Sequence, residues 1–244
     1  MKTETLTPEK IREICNECNT LTILGEKESG KSVLDIMIAD ALNTPRVIVW
    51  DMLGVFNPEN QNKTAVLSPP SVYYDTPQAF MSNFQKDTQK HVINFLKIRN
   101  KKELVETANK VIQFIEKICK NDNKQTAVII DEAADIIPQK GLKADDVEYN
   151  IKNGRNWRMN PIILTTQRPQ TVDKDDLELS NAYFIFTQLG ENTLERLVDI
   201  TNAENRQEMK SILRGLPKRH VLYVKKNEYK ILKIPEYKNA FKQK

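Results

Sequence analysis

Residues 25–32 read Gly-Glu-Lys-Glu-Ser-Gly-Lys-Ser, and they hold two of only seven glycines in a 244-residue chain. Glycines four residues apart, followed at once by lysine and serine, form a loop whose backbone N–H groups can wrap an anion. A helix starting there would point its positive end at the same anion. Lys31 is placed to reach the β and γ phosphates of a nucleotide, and Ser32 to ligate Mg²⁺. The candidate nucleotide-binding set is Gly25, Glu28, Ser29, Gly30, Lys31, Ser32 and Val33.

A second chemical signal follows at 127–133, Ala-Val-Ile-Ile-Asp-Glu-Ala. An apolar run ending in Asp131 and Glu132 offers one carboxylate to the Mg²⁺ shell and a second to orient and deprotonate a water. The candidate metal ligands are therefore Ser32 and Asp131, with Glu132 as the catalytic base. An adjacent glutamate favours hydrolysis and mechanical work over transfer to a small acceptor. A third apolar run, Pro161–Thr166, ends in Gln167, whose amide can sense a γ phosphate. No Asn-Lys-x-Asp follows the later apolar run at 182–187, which argues against guanine, and no arginine-rich lid of a small-molecule kinase is visible.

Other residues carry weaker signals. Cys15-Asn16-Glu17-Cys18 has C-x-x-C spacing, but Cys119, His91 and His220 lie far away in sequence, and small buried helix residues are the better reading. Lys140 and Lys143 lie on a segment after Glu132 that is either an ordinary exposed loop or a contact for DNA phosphates.

These groups need strands and helices to hold them. Apolar runs at 20–24, 46–50, 91–96, 126–131, 161–166 and 182–187 read as strands, and 8–18, 33–42, 77–86 and 101–120 as helices. Residues 57–71, polar and proline-rich, read as a loop. Residues 220–234 read as a hairpin turning near Asn227. Nearly all-apolar strands alternating with helices predict an α/β fold with a mainly parallel sheet covered on both faces. With no repeat and no long linker, one domain is expected: an N-terminal helix over 1–19, a nucleotide-binding core over 20–216 and a basic hairpin and tail over 217–244. Apolar residues at 39% and charged at 29% suit a globular core. Without a long apolar run, no membrane span or signal peptide is expected, and the chain reads as cytoplasmic. A net charge of +4 permits a polyanion partner without requiring one.

The ordered set of phosphate loop, Ile-Ile-Asp-Glu-Ala and Thr-Thr-Gln-Arg-Pro resembles the FtsK–HerA superfamily of DNA-pumping ATPases. Val47–Phe56 is similar to that family's second strand, and Asn153–Pro169 to the segment where a Gly-Arg pair precedes the glutamine strand. The likeness runs over about residues 20–225. It implies a RecA-like P-loop NTPase that hydrolyses ATP with Mg²⁺ and moves double-stranded DNA regardless of sequence, as a homo-oligomeric ring of five or six subunits. It implies an arginine finger reaching the neighbouring subunit's γ phosphate. Arg155 is the first candidate and Arg158 its rival, because the stretch after the Gly-Arg pair is one residue longer than usual. It also makes Asp51 either a carboxylate behind the nucleotide's ligands or a strand-end residue that binds backbone. Among relatives, a motor this bare most resembles the genome-packaging ATPases of tailless, membrane-containing double-stranded DNA viruses, which work at a capsid vertex or portal. A HerA-like cellular or plasmid translocase and a non-translocating nucleotide switch are the alternatives.

Overall fold

The computed structural model describes residues 3–56, 67–188, 190–201, 205–226 and 228–236. In chain order the strands are β1 (Thr3–Thr5), β2 (Thr20–Leu24), β3 (Arg46–Asp51), β4 (Ser71–Tyr74), β5 (Lys90–Asn94), β6 (Thr126–Ile130), β7 (Met159–Thr166), β8 (Ala182–Ile185), β9 (His220–Lys225) and β10 (Glu228–Lys233). The helices are α1 (Pro8–Asn16), α2 (Lys31–Ala41), α3 (Pro77–Ser82), α4 (Lys101–Asp122), α5 (Asp145–Asn153), α6 (Lys174–Glu178), α7 (Glu191–Ile200) and α8 (Arg206–Gly215). The described strands form one sheet in the order β1-β10-β9-β8-β2-β7-β6-β3-β5-β4. Every neighbouring pair is parallel except those made by β9, which runs antiparallel to both β8 and β10.

The central strands are apolar throughout because both faces are covered. Alternate residues divide between two cores, as the two-residue period of a strand requires. Ile48, Trp50, Val128, Ile130, Ile162 and Leu164 pack with the buried faces of α4, α5, α7 and α8. Val47, Val49, Ala127, Ile129 and Ile163 pack on the other side with α1 and α2. Capping fixes where the helices begin. The Thr7 hydroxyl accepts from the Lys10 N–H ahead of Pro8, and the Asn100 side chain accepts from the N–H groups of Lys102 and Glu103.

The mainly parallel sheet, the helices on both faces and the C-terminal β-hairpin all match the sequence expectation. Three features differ from it. Residues 57–71 were expected to be a loop, yet Ser71 opens β4; residues 57–66 lie outside the described residues. β4 is an edge strand, where a proline immediately before the pairing residues removes no ladder bond from a central position. The hairpin does not itself end the sheet, because β1 pairs in parallel along the outer side of β10. Finally, α5, α6, α7 and α8 fill stretches to which no helix was assigned. The hairpin turn expected near Asn227 lies outside the described residues, as does the tail beyond Glu236.

Candidate nucleotide site

The site gathers at the carboxyl ends of β2, β6 and β7, three adjacent strands, where ligands of open parallel sheets bind. β2 runs into Gly25, whose N–H donates to the Thr166 carbonyl (3.3 Å). The turn there is tight. A Cβ on Gly25 would lie 2.5 Å from the Ser29 Oγ and 2.8 Å from the Phe186 Cβ. Gly30 has φ +109°, a left-handed conformation that glycine adopts without steric cost, and it opens α2 with no side-chain cap. The first amides of α2 are therefore left to an external acceptor.

Lys31 is buried at the head of α2, and its ammonium donates to the Glu26 carbonyl (2.8 Å). Burial depresses its pKa, while Glu132, Asp35, Asp131 and Glu26 oppose the shift. One ammonium thus faces four carboxylates. Asp131 follows β6, with its N–H donating to the Trp50 carbonyl (3.2 Å). Burial holds its carboxyl well above the usual range, reinforced by Asp35, Asp51 and Glu132. Glu132 comes next, at φ 48° and ψ 55°. Its Oε1 accepts from the Thr166 hydroxyl (3.3 Å) and the Gln167 N–H (3.4 Å), so the ends of β6 and β7 are joined through this side chain.

Four side-chain oxygens at this place are buried without a hydrogen-bond partner: Ser29 Oγ, Asp35 Oδ2, Asp131 Oδ2 and Glu132 Oε2. Buried polar atoms without partners are rare, and these are hard oxygen donors beside a lysine. They suit a phosphate chain with a divalent cation. Among the described residues no three of His, Cys, Asp or Glu gather as a metal cage. Mg²⁺ is commonly held by one or two protein oxygens together with substrate phosphates. Beside the loop, a cavity of ≈ 250 Å³ is lined by Ser29, Gly30, Val33, Phe186, Arg219 and Ile234, and is sized for the nucleoside end of a ligand.

Gly25 through Val33, Asp131, Glu132 and Gln167 therefore meet in one place. Arg155 and Arg158 do not. Arg155 lies in a short 3-10 turn, Gly154–Trp157, beside Asn19, Thr20 and Asn181, at the amino ends of β2 and β8. The Arg158 carbonyl accepts from the N–H of Thr126, the first residue of β6. A five-residue strand at about 3.3 Å per residue puts these arginines roughly 15 Å from the phosphate loop of their own chain. Asp51 binds backbone: its two oxygens accept from the N–H groups of Val55 (2.7 Å) and Phe56 (3.0 Å). Lys143 is ion-paired with Asp173, while Lys140 is exposed. Cys15 and Cys18 are buried free thiols, the second pushed up to about 11 by burial, as suits packing residues rather than nucleophiles.

The sequence reading missed Asp35, Thr165, Phe186 and Arg219. Asp35 is fully buried, accepts a hydrogen bond from the Thr165 hydroxyl (2.8 Å) and is raised to about 7 by burial. It had a signal: it is the one charged residue between Lys31 and Asp40 in an otherwise apolar helix. Phe186 and Arg219 had none, because only the folded sheet brings β8 and the start of β9 beside the loop.

No family model and no curated protein matches the sequence. Solved structures do. The genome-packaging NTPase B204 of Sulfolobus turreted icosahedral virus 2, solved with ATP-γS, superposes with a TM-score of 0.64 at 18% identity, over 88% of this chain and 97% of B204. VirB4 of Thermoanaerobacter pseudethanolicus gives 0.64 at 14% identity, over 92% and 91%. The pCW3 conjugation coupling protein TcpA, with ATPγS, gives 0.56 at 13%, over 88% of this chain and 59% of TcpA. With the phosphate loop at the end of β2 and the paired carboxylates at the end of β6, the chain has the fold of a RecA-like P-loop NTPase, in the form also seen in B204, VirB4 and TcpA.

Proposed function

We propose that the chain is an ATPase that drives double-stranded DNA, and that its task is genome packaging in a virus of the tailless, membrane-containing type. One observation carries the ATPase reading: the partnerless buried oxygens of Asp131 and Glu132 beside Lys31, at the mouth of a glycine loop. The loop amides and Lys31 bind the β and γ phosphates of ATP. Ser32 and Asp131 would hold Mg²⁺, which when bound neutralises charge on those phosphates. Glu132 is held by Thr166 and Gln167 on one oxygen, so its other oxygen is positioned to take the proton of an attacking water. Gln167, bonded to Glu132 through its N–H, reports on the γ phosphate through its amide.

DNA as cargo is supported by the fold shared with B204, a genome-packaging NTPase, at nearly full length of both chains. The superposition on TcpA, the pCW3 conjugation coupling protein, supports a HerA-like cellular or plasmid translocase as the second reading. Both readings take sequence-independent duplex DNA, a ring of five or six subunits and an Arg155 finger acting in trans. The viral reading adds a capsid vertex or portal as anchor. The test is ATP turnover with and without mixed-sequence duplex DNA. Turnover should require Mg²⁺, rise with DNA and vanish in Lys31→Ala. Turnover indifferent to DNA would leave a nucleotide switch instead.

A further inference from the structure

The basic segments that stand out in the sequence are in part neutralised in the fold. Lys143 pairs with Asp173, Lys225 with Glu17, and Arg219 with Glu236. One cationic run is not. Residues 97–102, Lys-Ile-Arg-Asn-Lys-Lys, run from the loop after β5 into the first turn of α4 and contain four cations and no acid. Lys97 and Arg99 are exposed, without an ion pair among the described residues, and Lys102 has only a long contact with Glu106 (3.9 Å). The run leaves the carboxyl end of β5, the end of the sheet that carries the nucleotide site. β5 is the second neighbour of β6, so it stands about 10 Å from the strand that ends in Asp131 and Glu132.

A hydrogen-bonded path joins this run to the backbone of Glu132. The Lys101 ammonium donates to the Asp135 carbonyl. The N–H of the same residue, Asp135, donates to the Glu132 carbonyl (2.9 Å). One residue is thus held on its carbonyl side by the head of α4 and on its amide side by the backbone of the catalytic residue. Two hydrogen bonds, through Asp135, thus link Lys101 to the Glu132 backbone.

We propose that Lys97, Arg99 and Lys102 form a contact for the phosphate backbone of duplex DNA, and that Lys101 transmits its occupancy to Glu132 through Asp135. This rests on the DNA-translocase reading above. The three exposed cations hold phosphates and read no bases, so the contact accepts any sequence. Binding there draws on counterion release, which makes it salt-dependent. Lys101 is already engaged with protein and is the coupling member, not a phosphate ligand.

The test uses the full chain, a fluorescently labelled mixed-sequence duplex and ATP turnover with and without that duplex. The triple variant Lys97→Ala, Arg99→Ala, Lys102→Ala should bind the duplex at least about tenfold more weakly. The slope of log affinity against log salt should shrink by up to about 2.7, one lost contact for each cation. Its DNA-free turnover should stay within about twofold of the parent, since these side chains lie outside the nucleotide site. The charge-conserving variant Lys97→Arg, Arg99→Lys, Lys102→Arg should bind like the parent, which separates charge from folding. Lys101→Met should bind the duplex yet lose the DNA-dependent rise in turnover. If the parent binds DNA and is stimulated while the alanine triple behaves identically, the contact is elsewhere and this assignment is overturned, with the translocase reading intact. If Lys101→Met is stimulated like the parent, the path through Asp135 is wrong. If the parent hydrolyses ATP but neither binds nor responds to DNA, both readings fall together.

Discussion

Glu132 occupies the left-handed region of backbone space, where residues with a Cβ are uncommon. Held there, it turns its side chain back to Thr166 and Gln167 on the neighbouring strand. Strain of this kind gathers where a side chain must be aimed. Glu132→Gln keeps shape and hydrogen bonding but cannot accept a proton. It should bind ATP as tightly as the parent while hydrolysis falls about 10²- to 10⁴-fold, the usual worth of a positioned base. Nucleotide-binding titration beside single-turnover kinetics checks this, and full turnover would remove Glu132 from the role. A buried carboxylate outside the nucleotide site also shapes the pH dependence. Asp176 on α6 is wholly buried, and neither oxygen has a hydrogen-bond partner. Burial, then Glu148 and Asp173, push it up to about 7, against the pull of Lys152 and Lys143. A carboxyl raised above its unfolded value holds its proton longer when folded, so it costs stability as pH rises from about 4 to about 7. Asp176→Asn should therefore stabilise the protein at pH 8 by about 1–4 kcal/mol and change little at pH 4, as read by thermal melts at both values.

At the scale of elements, α2 and β7 are locked by the Asp35–Thr165 hydrogen bond in the core beneath the phosphate loop. Thr165→Val keeps the shape and leaves Asp35 with neither oxygen paired, so it should cost about 1–3 kcal/mol in denaturant unfolding. An unchanged midpoint would mean that Asp35 finds another donor. The six strands of the nucleotide core were legible in the sequence because a sheet covered on both faces needs unbroken apolar runs, and few other local structures make them. The positions of the Gly25–Ser32 loop and of the Asp131–Glu132 pair, at the ends of β2 and β6, were legible because each signal is a run of adjacent residues next to an apolar strand. β1 was not, since Thr3–Thr5 is exposed throughout and is a strand only because β10 offers its edge. β4 was hidden behind Pro69 and Pro70. α7 carries Leu194, Leu197 and Val198 at helical spacing and was readable in principle, whereas α5 begins on acids and is ordered chiefly by packing on α4. Arg219 and Phe186 illustrate what one sequence cannot display, a wall assembled from two distant segments.

At the scale of the whole molecule, the phosphate loop and Arg155 occupy opposite ends of the strands. No rotamer of Arg155 spans that distance, so any role for it at a γ phosphate requires a second copy whose Arg155 face meets this site. Lys31→Ala and Arg155→Ala should each be inactive alone. Mixed, they form some boundaries with an intact Lys31 on one side and an intact Arg155 on the other, and part of the DNA-stimulated turnover should return. An arginine finger is worth about 10³- to 10⁵-fold in rate, so even a small share of restored boundaries is measurable. Recovery with Arg158→Ala in place of Arg155→Ala would move the finger three residues along. No recovery in oligomers shown by mass to be mixed would exclude both.

The pairing of β1 with β10 sets a clock on biosynthesis. Thr3 is made well before its partner Ile231, with all the other strands but β10 synthesised between them. At about 5–20 residues per second, the first strand waits roughly 10–50 s for its neighbour. Over that interval Leu6, Ile11 and Ile14, which end in the core shared with Leu232 and Ile234, have no completed surface to pack against. The nascent chain therefore carries an open apolar face around β1 and α1, and its yield should depend on chaperones during translation more than the stability of the finished sheet would suggest.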